Sequence, residues 1–120
     1  MSTTRKDGRP HSVPVWGIWL DNSFYFETTP STVKGRNLAR NPSIVVHTQD
    51  GYDTVIVEGT VSREKNPEVM RRLKKGYKAK YDYTPDWARP GGDSVYRVEP
   101  KVVHAWKAPR MHQSIVKFVF

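Results

Sequence analysis

The sequence predicts a mostly-β fold, a small antiparallel β-barrel with one short and one longer α-helix. Three observations predict it. Runs rich in Val, Ile, Thr and aromatic residues recur between turn signals such as Asp7-Gly8, Asp21-Asn22 and the stretch DGYD at 50–53, the mark of hairpins. A single long stretch, residues 66–81, carries a full set of helix signals. After it the chain returns to strand-like sequence and ends there, so the helices decorate a sheet instead of alternating with its strands.

Each element follows from local chemistry. Residues 3–21 read as a hairpin around Asp7-Gly8, and the turn at Asp21-Asn22 leads into the aromatic strand SFYFET at 23–28. Residues 31–40, STVKGRNLAR, form a short helix with Ser31 or Thr32 as N-cap and Asn41-Pro42 as its stop. Gly35 lowers its intrinsic helicity, so tertiary contacts must hold it. SIVVHTQ at 43–49 and TVIVEGTVS at 54–62 are strands joined by DGYD. The longer helix starts with Asn66 as N-cap, Pro67 in the first position and Glu68 against the dipole. Val69, Leu73 and Tyr77, spaced by four, give it a narrow apolar stripe. Residues 82–93 are a polar loop rich in Pro and Gly, and 94–106 and 114–120 are closing strands. The expected order is four or five strands with the short helix among them, the longer helix, then two strands. All of it belongs to one domain over residues 1–120.

Composition narrows the function. Twenty Lys and Arg against twelve Asp and Glu give a formal charge of +8, which suits an anionic partner or plain solubility. Most of the excess lies at 63–80, with eight cations against two acids, a pattern that ordinarily marks a solvated helix face. There is no Cys, which rules out disulfides and thiolate metal sites. His11, His47, His104 and His112 fall on separate segments without metal-ligand spacing, and no Ser-His-Asp set or paired carboxylates stand out. With no apolar leader and no membrane-length run, a cytoplasmic protein is expected.

Two stretches carry the functional reading. In VPVWGIWLD at 13–21, both alternate faces are apolar: Val13, Val15, Gly17 and Trp19 on one, Pro14, Trp16, Ile18 and Leu20 on the other. A strand that faces water on one side should alternate with polar residues, so a second subunit or a bound ring should cover what the barrel does not. In TPSTVKGRNLARNP at 29–42, Lys34, Arg36 and Arg40 follow a helix start with no acid, although the dipole there prefers an anion. Free N–H groups, the hydroxyls of Thr28, Ser31 and Thr32, and Lys34 suit a phosphate.

Residues 3–48, followed by VIVEGTVSRE at 55–64, resemble the pyridoxamine 5′-phosphate oxidase-like superfamily of flavin-binding split β-barrels. The best-defined piece is FYFETTPSTVKGRNLARNP at 24–42, with its Lys, Asn-Leu and Asn-Pro. The resemblance implies a split barrel of the FMN-binding type and a homodimer with two flavin sites at its interface. The flavin phosphate would meet Thr28, Thr32 and Lys34, with Arg36 and Asn37 close by. The ring would lie along Val13, Pro14, Val15 and Trp16, and Trp106 and Lys117 would reach it from the other subunit. The resemblance implies an N-terminal helix before the first strand, and that helix is expected to be absent or trimmed here.

The resemblance has departures. Val13 and Ile18 stand where the oxidase carries a basic pair, one of which helps hold the flavin phosphate, so the FMN mode is expected to be altered or replaced. The oxidase's substrate-phosphate residues have no match here, which argues against vitamin B6 oxidation. The K…RNL segment is shared with a branch that binds the deazaflavin coenzyme F-420, whose acidic tail suits the excess of cations. The expected function is an FMN- or F-420-dependent oxidoreductase acting on a small unsaturated substrate, with no catalytic side chain identified. A non-catalytic flavin carrier is the alternative. A basic single-strand nucleic-acid barrel is disfavoured, because Trp16 and Trp19 sit along one apolar strand instead of lining a basic face.

Overall fold

The computed structural model describes residues 1–120. Eight strands form one antiparallel sheet: β1 (Ser2–Thr4), β2 (Pro10–Ser12), β3 (Gly17–Leu20), β4 (Ser23–Thr28), β5 (Ser43–His47), β6 (Asp53–Arg63), β7 (Ser94–Lys107) and β8 (Val116–Val119). Their order in space is β2-β1-β5-β6-β7-β4-β3, with β8 added to β7. The helices are α1 (Val33–Arg40), α2 (Pro67–Tyr81) and a single turn, α3 (Met111–Ser114), that follows a 3₁₀ turn. The mostly-β architecture with a short and a longer helix is as expected. Six strands precede α2, more than the four or five expected, because residues 13–16 belong to no strand and divide the second arm of the hairpin into β2 and β3. No helix is long and apolar enough to cross a membrane.

The turns act as their residues dictate. Asp21 and Asn22 both adopt positive φ, 48° and 63°, the geometry that matches the twist of a two-residue hairpin and that these side chains tolerate. Thr32 caps α1 by accepting from Gly35 N–H at 3.2 Å, and Asn66 caps α2 by accepting from Glu68 and Val69 at 3.0 and 3.2 Å.

β7 is the spine. Its first half pairs with β4, its second half with β8, and β6 runs beside it throughout, with a register shift between Glu58 and Gly59. Gly59 is required there, since a Cβ would lie 2.3 Å from the Glu99 carbonyl oxygen. Alternation along β4 and β7 sends Phe26, Tyr96 and Val98 into the barrel with Leu38, Ile44 and Val57, and sends Tyr25 and Val95 the other way onto Leu73 of α2. The stripe predicted on α2 is the face it buries: Leu73 and Tyr77 are fully covered. Residues 13–16 lie outside any strand, although Val13 bonds to Met1, so only the second half of the apolar stretch at 13–21 is a strand.

Candidate functional site

Residues 13–15 form part of one wall of an open, largely apolar cavity of about 840 Å³. Val13, Pro14, Val15 and Trp19 line one side, and Val46, Val55 and Val57 of β5 and β6 face them. Val13 exchanges backbone hydrogen bonds with Met1. Beyond it, the N–H groups of Val15 and Trp16 and the carbonyls of Pro14 and Val15 bond to nothing in the chain. Backbone groups beside an apolar wall need partners, and here they remain available to a ligand.

The C-terminal end of α2 fixes this wall. Tyr81 Oη accepts from Gly17 N–H at 3.0 Å and donates to Gly17 C=O at 2.9 Å. Lys80 Nζ donates to the same carbonyl at 2.9 Å, and Tyr77 Oη to Trp16 C=O at 3.4 Å. The indole of Trp16 stacks flat on Tyr81, centroids 4.5 Å apart. Gly17 is needed where Phe24 and the Tyr25 carbonyl press close: a Cβ would fall 2.0 Å from the Phe24 ring. Part of the cover expected for Trp16 is thus supplied from within the chain, although Trp16 and Trp19 remain 56% and 50% exposed.

At the start of α1 the hydroxyls of Thr28 and Thr32 are already engaged. Thr32 Oγ1 donates to Thr29 C=O at 2.8 Å, and Thr28 Oγ1, which is buried, lies 3.2 Å from Thr32 Oγ1. With its proton committed, Thr32 accepts from Thr28. The N–H groups of Ser31, Val33 and Lys34 have no acceptor in the chain, so three amides, the exposed Ser31 hydroxyl and the Lys34 ammonium are the free donors of this turn. They fit a phosphate; the two Thr hydroxyls shape the turn instead of facing outward.

The sequence-derived residues fall into three places. Val13, Pro14 and Val15 line the apolar cavity, with Trp16 beside them on Tyr81. Thr28, Thr32 and Lys34 gather at the α1 turn, while Arg36 and Asn37 line a separate cationic cavity on another flank of the helix. Trp106, opposite Thr54, and Lys117, opposite His104, lie on the outer half of β7 and on β8, and neither lines the apolar cavity.

Sequence reasoning missed Phe24, Val46, Val55, Val57, Lys80 and Tyr81 as cavity residues. Tyr81 continues the spacing Leu73, Tyr77, Tyr81, a signal that was present. No cluster of three His, Cys, Asp or Glu is placed to hold a metal ion. Trp87, in the loop after α2, donates its indole N–H to Glu27 and packs edge-on against Tyr77, so it anchors the loop. Burial pushes the Glu27 carboxyl up, with Trp87 pulling partly the other way.

A family model described as pyridoxamine 5′-phosphate oxidase matches residues 1–107. No curated protein matches. Among solved structures the chain is similar to an F420 reductase, at 22% identity over 85% of this chain and 84% of that one, with a TM-score of 0.66. It is similar to the general stress protein 26 of Bacillus anthracis str. Sterne, at 19% identity over 98% and 85% of the two chains, TM-score 0.71. A pyridoxamine 5′-phosphate oxidase-related, FMN binding protein of Nostoc punctiforme PCC 73102 matches at 11% identity over 99% and 84%, TM-score 0.64. At these identities the likeness is one of fold.

Proposed function

The chain belongs to the pyridoxamine 5′-phosphate oxidase family, and from that premise we propose that it is a flavin- or deazaflavin-dependent oxidoreductase, using FMN or coenzyme F-420. Residues 1–120 act as one cofactor-binding domain, two copies close over the cofactors, and the substrate is a small unsaturated molecule. The observation that carries this reading is the apolar cavity with unpaired backbone groups at residues 14–16 on its wall. A planar ring with polar atoms along its edge answers both features at once.

When bound, the ring supplies hydride transfer. The chain's own residues bind and orient. Val13, Pro14 and Val15 would pack against the ring, and the free N–H groups of Val15 and Trp16 would donate to its acceptors. The free amides of Val33 and Lys34 and the Lys34 ammonium hold the phosphate, with Arg36 and Asn37 one turn further along α1. Trp106 and Lys117, which do not line the cavity of their own chain, serve the site of the second copy.

Purified protein titrated with FMN and with coenzyme F-420 tests the proposal by the change in the absorbance of the bound ring. Lys34→Ala should weaken binding by about 1.5–3 kcal/mol, the worth of a charge-assisted hydrogen bond. Failure to bind either cofactor, or a Lys34→Ala variant of unchanged affinity, would overturn the assignment. Oxidation of the reduced cofactor by quinones or enones separates an enzyme from a carrier.

A further inference from the structure

The tip of the β1–β2 hairpin and α1 face each other across a second cavity, of about 670 Å³. Register pairs Thr3 with His11, and the bond from Arg5 N–H to Arg9 C=O, 2.8 Å, carries the pairing one step further. Thr3, Arg5, Arg9 and His11 therefore share one face of the hairpin. That face points at α1, because Asn37 Nδ2 donates to Thr3 Oγ1 at 3.0 Å. From α1, Arg36 and Arg40, four apart, look back into the same space. Arg5, Lys6, Arg9, Arg36 and Arg40 surround the cavity against a single acid, Asp7.

The arrangement works against stability. Like charges directly opposite on paired strands, as Arg5 and Arg9 are, repel, and so do like charges four apart on a helix. Only Arg9 has a carboxylate partner, Asp7 at 2.7 Å. Two of the guanidinium groups are nonetheless held in place. Asp7 grips Arg9 through Nε, leaving its outer nitrogens free. Arg40 Nη2 donates to Asn37 Oδ1 at 2.9 Å, and Asn37 and Thr3 behind it are only 2% and 3% exposed. A buried amide anchored on Thr3 at one end and aiming an arginine with the other is a support for a site.

We infer that this cavity binds a small molecule carrying a chain of two or more phosphates, gripped between the hairpin tip and α1. Arginine supplies four of the five cations, and its planar fork suits phosphate oxygens in pairs. A single phosphate brings too little charge to offset five cations, whereas a chain spans from one element to the other. The site adjoins the proposed cofactor turn through Val33, Arg36 and Asn37 of α1, but Lys34 does not line it and the hairpin arginines belong to it alone, and it requires no flavin.

The test is calorimetric titration of the full chain at low salt with inorganic phosphate, tripolyphosphate, a nucleoside triphosphate, citrate and a single-stranded oligonucleotide. Tripolyphosphate should bind saturably and at least about tenfold more tightly than inorganic phosphate. A nucleoside triphosphate that binds tighter still identifies a nucleotide as the source, and equal affinity identifies the bare phosphate chain; either supports the site. The double variant Arg5→Gln with Arg40→Gln removes one member of each repelling pair. It should lose at least about tenfold in tripolyphosphate affinity, melt no lower than the parent without ligand, and gain no melting temperature from tripolyphosphate, while FMN and F-420 titrations stay unchanged.

Lys34→Ala should do the reverse, keeping tripolyphosphate and losing the cofactor, so failure of one site is distinguishable from failure of the other. Equal affinity for inorganic phosphate and tripolyphosphate, equal binding by parent and double variant, tighter binding of citrate, or tighter binding of the oligonucleotide would each overturn the inference.

Discussion

On the barrel side of β4 and β7, Phe26, Tyr96 and Val98 join six other buried residues in one apolar cluster, and Phe26 and Val98 are wholly covered. On the opposite side Tyr25 and Val95 meet only Leu73 as a fully buried partner, and the remaining cover comes from half-buried groups such as Ile18, Met70 and Trp87. The barrel side is closed by burial. The α2 side is closed by side chains with polar ends: Tyr77 and Tyr81 bond to the backbone at Trp16 and Gly17, and Trp87 bonds to Glu27. The difference separates two tasks. Non-directional burial sets the fold, while directional hydrogen bonds set where one cavity wall stands.

Phe26→Ala presses hardest on this contrast. Phe26 is fully buried and stacks on Tyr96 at 5.3 Å between centroids. Truncation should cost about 3–5 kcal/mol in unfolding free energy measured with urea. A loss under about 1 kcal/mol would show that the cluster collapses to fill the gap, and the barrel side would then not be the rigid one.

Tyr81→Phe acts on the other side and more gently. The change keeps the ring stacked on Trp16 but deletes the hydroxyl that both accepts from and donates to Gly17. Lys80 still reaches the Gly17 carbonyl, so the expected loss of stability is about 1 kcal/mol. The sharper readout is amide exchange at Gly17, whose N–H loses its only acceptor and should exchange faster while β6 and β7 are unaffected. Exchange at Gly17 equal to that of the parent would mean that α2 does not hold the wall.

The same contrast explains what could be read in advance. Caps and turns depend on one to three neighbouring residues, so Thr32, Asn66 and the pair Asp21-Asn22 were legible. The pairing of β7 with β4 and the placing of β1 beside β5 were not, since both join segments far apart in sequence. Residues 13–16 looked like strand by composition; Pro14 has no N–H to give, and past the Val13–Met1 bonds no neighbouring strand reaches them. The apolar cavity was half legible. Val13, Pro14 and Val15 announce themselves as an unbroken apolar run, whereas Val46, Val55 and Val57 look like ordinary strand interior until β5 and β6 turn them toward it. At α1 the hydroxyls of Thr28 and Thr32 were legible as donors but not as donors already spent within the turn.

The smallest expected effect comes from Glu27, the one carboxylate on the α2 side of β4. It is half-buried, and burial raises its pKa above the ordinary glutamate value of 4.5, with nearby Asp93 adding to the rise and the Trp87 hydrogen bond opposing it. A raised native pKa means that the folded chain holds the proton more tightly than the unfolded one. The stability this contributes is fully present below the ordinary value and is lost as pH rises through the native one. Glu27→Gln keeps an oxygen to accept from Trp87 and never ionises. Asp7, Asp21 and Glu68, each held low by an arginine, push stability the opposite way with pH, so the difference between variant and parent is the quantity to follow. Urea midpoints measured across acid to neutral pH should show the variant gaining on the parent as pH rises above the glutamate range, then levelling off. A difference that stays flat with pH, or that falls, would mean that Glu27 ionises at no cost and that the α2 side is as well solvated as an ordinary surface.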